Sequence, residues 1–202
     1  MNNLDAVFSL DFSGDDFQSS EGIDPRVMRM RSKADLKSAM RKEKAAEIID
    51  GVPAVGESVH IVSNGSFDYW GFVPLMIEHL GAPVTRAYFS TWTLNRQCCK
   101  ELFEMLDDRR IKQCGFLTGI YFKSRESAIY AQLVSGLQAR GQKFKALENH
   151  SKLVLLECGK NYIVMEGSAN FTANPRIEQN TIYNSRELFD FHAEWIEEVL
   201  SK

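Results

Sequence analysis

Between residues 58 and 141 the hydrophobic pattern switches repeatedly between a period of two and a period near 3.6, and this alternation restricts the fold more than any other feature of the chain. SVHIVSNG (58 to 65), VTRAYFSTW (84 to 92) and GFLTGIYF (115 to 122) have the character of strands. Each is followed by a helical run: YWGFVPLMIEHLG (69 to 81), RQCCKELFEMLDDRR (96 to 110) and RESAIYAQLVSGLQARG (125 to 141). Three strand and helix pairs in succession predict an α/β fold, a parallel or mixed β-sheet flanked by helices, whose chemistry-bearing loops lie beyond the strand C-termini. Two further strand runs, KLVLLEC (152 to 158) and YIVMEGS (162 to 168), are separated by Gly159, Lys160 and Asn161 and predict a hairpin. An amphipathic helix, SRELFDFHAEWIEEVLSK, closes the chain.

Upstream, residues 1 to 32 have no sustained period and predict an N-terminal arm, leaving residues 33 to 202 as the domain. A helix is expected from Ser32 or Asp35, closed by Gly51 and Pro53, with Leu36, Met40, Ile48 and Ile49 as its apolar face. At 202 residues, 44% of them hydrophobic and 25% charged, the chain fits one ordinary globular domain with an arm. No apolar run reaches the roughly 20 residues that span a bilayer, and MNNLDAVFSLDFSGDD lacks the marks of a secretory signal, so a cytoplasmic location is the default expectation. Cys98, Cys99, Cys114 and Cys158 form no C-x-x-C pair and predict reduced, buried thiols with no zinc site or disulfide framework.

The net charge of −3 does not by itself announce a nucleic-acid partner. Its distribution is uneven, however: residues 1 to 24 carry six acids and no Lys or Arg, whereas residues 26 to 44 carry eight bases against Asp35 and Glu43. That basic segment is either the solvated face of a helix or a phosphate contact.

The hairpin is where the sequence becomes chemically specific. His150 and Lys152 are separated by one residue, so on a strand an imidazole and an ammonium project to the same side. Ser168 and Asn170, in Gly167-Ser168-Ala169-Asn170-Phe171-Thr172, share that parity on the returning strand. Four polar groups gathered at one end of an apolar ribbon need a ligand to justify them. A neutral imidazole can attack phosphorus, Lys152 supplies a fixed positive charge, and the Asn170 amide and Ser168 hydroxyl can donate to phosphate oxygens. Gly167 would allow close backbone approach.

HSK followed by GSANFT resembles the HxK and GSxN elements of the phospholipase D superfamily, over about residues 58 to 196. The resemblance implies a phospholipase D-like fold and a metal-independent phosphodiesterase without cofactor. In it His150 is the nucleophile that forms a phosphohistidine, Lys152, Ser168 and Asn170 hold the phosphate, and Glu178 orients the imidazole. Glu157 stands where the family has Asp, and the link from Glu157 to GSxN is nine residues instead of six; a longer hairpin turn is expected to absorb the difference. The reaction needs two imidazoles and this chain has a single HxK, so the resemblance further implies a homodimer with both His150 side chains at one phosphate. An endonuclease acting on DNA or RNA is the leading expectation. A nucleic-acid-binding module that uses the same pocket without cutting is the alternative, and a lipid substrate ranks last for want of an amphipathic membrane-binding segment. Trp92, Ser63 and Asn64 are further candidates for the lining of the site, while Phe67, Tyr69, Trp70 and Phe72 are expected in the core.

Overall fold

The chain's seven described strands form one mixed sheet: β1 (Ser58–Ser63), β2 (Arg86–Thr91), β3 (Cys114–Gly119), β4 (Lys143–Leu147), β5 (Leu153–Cys158), β6 (Asn161–Gly167) and β7 (Glu178–Asn184). They hydrogen-bond in the order β1-β7-β6-β5-β2-β3-β4. This is a computed structural model in which residues 43–63, 69–172 and 176–202 are described, all within the unit Ser32–Lys202. Strands β2, β3 and β4 are mutually parallel, whereas β5 is antiparallel to β2, β6 to β5, β7 to β6 and β1 to β7. Five strands therefore run one way, and β5 and β7 run against them. One end of the sheet collects the C-termini of β1, β2, β3, β4 and β6 together with the N-termini of β5 and β7.

The central strands are apolar on both sides because both faces of the sheet are covered. On one face Phe89, Phe116, Val154, Leu156 and Met165 join residues of α1 (Phe72–Leu80), α2 (Arg96–Asp107) and α4 (Ser127–Ala139), which follows the short α3 (Phe122–Arg125). On the other, Leu117, Leu153, Leu155 and Val164 pack on Phe189, Ala193 and Ile196 of α5 (Arg186–Ser201). Asn95 caps α2 by accepting from the Cys98 amide, and Ser185 caps α5 by accepting from that of Leu188, which fixes where each helix leaves its strand. Tyr69, Trp70 and Phe72 lie in the core as expected, and all four cysteines are buried thiols outside any disulfide.

The expected α/β architecture, a mixed sheet flanked by helices, is thus the one adopted, with four local corrections. First, β5 begins at Leu153, so His150, Ser151 and Lys152 form the approach to the strand. Second, the register runs without a bulge from Leu153↔Glu166 to Cys158↔Asn161. The turn is only Gly159 and Lys160, with Gly159 at φ 59 in the left-handed region a tight hairpin requires. The nine residues between Glu157 and GSAN are therefore taken up by paired strand and this tight turn, and the longer turn expected from the sequence does not form. Third, β4 and β7 are strands that the hydrophobic pattern does not announce. Fourth, of the helix expected before Gly51, residues 43–46 are helical, and Ala45 and Ile49 are its buried pair while Ile48 is 43% exposed. The arm 1–32, most of the basic segment 26 to 44, Leu36, Met40, Asn64 and Phe67 lie outside the described residues.

Candidate functional site

At the end of the sheet where five strand C-termini meet, the HSK and GSAN segments lie side by side. The Gly167 amide donates to Lys152 O at 3.3 Å, extending the β5–β6 ladder one step beyond the strands. Beyond Gly167 the chain bends towards β2: Leu94 and Phe171 form an isolated parallel bridge, and the Asn95 amide donates to Phe171 O at 3.3 Å. The Phe171 ring is fully buried among Tyr69, Trp70, Phe89 and Phe116. This aromatic anchor fixes the segment that carries Ser168 and Asn170.

Lys152 is the central charge. It is only 7% exposed, and its ammonium lies 2.8 Å from His150 Nδ1 while also donating to the His150 carbonyl. Burial pulls its pKa below the usual lysine value, and the negative charge of Glu178 partly opposes that shift. A buried cation with an imidazole and a carbonyl as its hydrogen-bond partners is short of negative charge, and an anion at this point would relieve it.

Glu178 opens β7 and accepts the Ser168 hydroxyl, while Ser168 Oγ in turn accepts from the Gln179 amide at 3.0 Å. Glu178 thus reaches the Ser168 hydroxyl and the charge of Lys152, and the ammonium of Lys152 lies against His150 Nδ1. Ser63 is buried and pairs with Glu178 across β1 and β7. Asn170 Oδ1 lies 3.5 Å from Thr91 Oγ1, which also accepts from the Phe171 amide at 3.3 Å. Its carbonyl oxygen faces Thr91, so its two N–H groups point away from that hydroxyl.

Two expected roles change. Glu157 sits at the opposite end of β5, roughly 16 Å along the strand from Lys152, and pairs with Arg86 at 2.5 Å. It therefore helps join β5 to β2 and lies away from the cluster of His150 and Lys152. At Gly167 an added Cβ would come within 2.2 Å of Asn180 Oδ1 and 2.4 Å of Gln179 O, so the approach that requires glycine is that of β7.

His150 is held by its chain neighbours Asn149 and Ser151 together with Ser90 and Trp92 from the end of β2. Asn149 Oδ1 accepts from both the amide and the hydroxyl of Ser151, at 3.0 and 2.7 Å, and Asn149 Nδ2 donates to Ser90 Oγ at 2.8 Å. Ser90 and Ser151 hydroxyls are 2.6 Å apart. The Trp92 ring stands beside His150 with centroids 6.5 Å apart. A cavity of about 520 Å³ opens next to the motifs, lined among others by Lys152, Glu166, Gly167, Gln179, His192 and Trp195. There His192 Nε2 lies 3.3 Å from Glu166 Oε2, a pair with no signature in the sequence. Among the described residues no group of three His, Cys, Asp or Glu side chains is gathered to hold a metal ion, and no helix is long and apolar enough to cross a membrane.

No protein-family model and no curated protein sequence matches the chain. Solved structures do match it. Nuc from Salmonella typhimurium, a phospholipase D family member, aligns with a TM-score of 0.50 and 17% identity over 70% of this chain and 93% of its own. NucT from Helicobacter pylori aligns with 0.51 and 12% identity over 72% of this chain and 97% of its own. A polyphosphate kinase from Porphyromonas gingivalis aligns with 0.53 and 13% identity, over 72% of this chain but 26% of its own.

Proposed function

Since the chain has the phospholipase D fold, we propose that it is a phosphodiesterase that cleaves DNA or RNA through a phosphohistidine, using His150, Lys152, Ser168, Asn170 and Glu178 at a site completed by a second copy of the chain. The observation that carries this reading is the buried Lys152 ammonium, held 2.8 Å from the imidazole where the GSAN segment begins.

In the free protein Lys152 donates to Nδ1, which leaves the neutral imidazole protonated at Nε2. Nucleophilic attack needs a lone pair on Nε2. A bound phosphodiester supplies it by offering Lys152 better acceptors, its own anionic oxygens, so that the ammonium leaves Nδ1 free to take the proton. The Asn170 amide and the Ser168 hydroxyl then donate to the same oxygens, with Ser168 turning from Glu178 to do so. Nε2 attacks phosphorus, and the P–O bond to the leaving group breaks. The second copy's His150 enters the reaction as an imidazolium, having taken a solvent proton at Nδ1 once its own Lys152 has also turned to the phosphate, and it gives the leaving oxygen a proton. Water then attacks phosphorus, gives its proton to that second imidazole, and the P–N bond breaks to restore the enzyme.

The resting position of Lys152 also favours a second reading: a module that grips a nucleic-acid backbone with the same groups while the ring stays in the unreactive tautomer. Labelled single-stranded and duplex DNA and RNA, incubated with the protein in chelator, separate the two. Cleavage that falls at least about 10³-fold in His150→Ala supports the enzyme. Equal cleavage by both proteins overturns it, and salt-sensitive binding that survives His150→Ala with no cleavage by either leaves the binding module.

A further inference from the structure

We infer that Trp92, Tyr121 and Arg125 form a subsite for an unpaired nucleotide next to the phosphate at His150. This rests on the nucleic-acid reading above and narrows it to single strands, or to duplex ends that can open. Trp92 directly follows β2, and its ring is the aromatic neighbour of His150 at 6.5 Å. Its indole is seated on bare backbone: a Cβ added to Gly119 would fall 2.4 Å from Trp92 Cδ1. The Gly119 amide also donates to Trp92 O at 3.3 Å, so the ends of β2 and β3 hold the ring in one orientation.

The turn that leaves β3 brings a cation to this ring. Arg125 Cζ lies 5.0 Å from the Trp92 ring centroid, and the Arg125 amide donates to Tyr121 O at 3.1 Å. Stacking on indole fixes a guanidinium while leaving its N–H edge available for two oxygens of one phosphate. Among the described residues Arg125 has no carboxylate partner. One turn back, Tyr121 is 61% exposed and Ile120 is 48% exposed, and Lys123 is exposed between Tyr121 and Arg125. An open aromatic ring, a guanidinium stacked on a second ring, and the phosphate site thus follow one another around a single end of the sheet.

The chemistry selects the occupant. An inorganic phosphate or a lipid headgroup would use the cation but leave the rings idle, whereas a nucleotide supplies both an anion and a flat π-face. Bases inside a duplex already have both faces stacked, so the base that uses Tyr121 or Trp92 must be unpaired.

Anisotropy of fluorescein-labelled oligothymidylate tests this with the full chain, against an abasic oligomer of equal length and a duplex. Wild type should bind the thymidylate roughly 5-fold to 150-fold more tightly than the abasic strand, the range given by stacking of one base. Tyr121→Ala and Trp92→Leu, each checked for an unchanged melting transition, should shrink that preference. Arg125→Gln should weaken both strands and lower the salt slope by about one. If wild type binds abasic and thymidylate strands equally, or if Tyr121→Ala and Trp92→Leu keep the full preference, the subsite is wrong even though the protein still cleaves. If wild type neither binds nor cuts any strand, both this inference and the function it rests on fall.

Discussion

Lys152 holds its charge where water scarcely reaches, and the consequence is a measurable conflict between stability and function. Its folded-state pKa is lowered by burial, with Glu178 opposing the shift. The protonated form is therefore the one the fold penalises. That penalty is fully present at pH values below the lowered pKa and fades as pH rises towards the ordinary value of 10.5. Lys152→Met should accordingly melt at a higher temperature than wild type at pH 7, and the gap should narrow as pH approaches 10.5. Phosphodiester cleavage by the same variant should drop by roughly 10² or more, because the charge that meets the phosphate is gone. Scanning fluorimetry across that pH range, paired with cleavage rates at pH 7, checks both halves. A melting point below wild type at neutral pH would mean that the hydrogen bonds from Nζ to His150 outweigh the desolvation they cost. The identities of His150, Lys152, Ser168 and Asn170 as a group were legible in the sequence because each lies at an end of one hairpin, where local spacing dictates proximity. Their supports were not. Ser90, Thr91 and Trp92 reach them from some 60 to 80 residues away, and one-dimensional spacing carries no signal for such contacts.

At the scale of elements, the strands that escaped notice have physical reasons for doing so. β7 (EQNTIYN) places Asn180, Ile182 and Asn184 on one buried face, so two of its three inward residues are polar and no apolar alternation exists to detect. Asn184 is tolerated there because its Nδ2 donates to Pro53 O and Asn161 Oδ1 and its Oδ1 accepts from the Tyr162 amide. β4 (KFKAL) is a five-residue edge strand with two lysines, and Lys145 spends its ammonium on Val199 O of α5. The helix pairs were readable from their 3.6-residue period, yet the closeness of one pair was not. Gly136, in the middle of α4, faces the Phe103 ring of α2 so tightly that an added Cβ would fall 2.1 Å from Cζ. Arg140 covers the same ring at 4.5 Å and pairs with Asp107 through two hydrogen bonds of 2.8 and 2.6 Å, so the ring has a neighbour on its outer side. Gly136→Ala gains about 1 kcal/mol of helix propensity, but overpacking at a clamped ring costs roughly 1–3 kcal/mol. The net expectation is a lower denaturation midpoint, with Phe103→Leu added to Gly136→Ala restoring part of the loss. A midpoint above wild type for the single variant would show that Phe103 yields its place freely.

For the molecule as a whole, the arithmetic of imidazoles decides what must assemble. Glu157, which the family pattern placed as a candidate for the site, lies at the far end of the sheet on Arg86. His192 lines the neighbouring cavity, already paired with Glu166. His60 is held by Ser58 and Thr181 and His79 by Ile49 O, so one chain brings one imidazole, His150, to Lys152, while the cleavage proposed above uses two. A two-fold dimer supplies the second without a second motif, because an isologous contact places the same residue on both sides of its axis. Light scattering should then give about twice the 23.0 kDa of the chain. Mass alone does not locate the axis, and co-expression of wild-type and His150→Ala chains does. At equal expression and random pairing about one quarter of the dimers are wild type in both chains and about one half are mixed. If the site is composite, mixed dimers are silent and activity per wild-type chain falls to about half. If each chain carries a complete site, activity per wild-type chain does not change, and the place of the second imidazole in the mechanism must be given to another group.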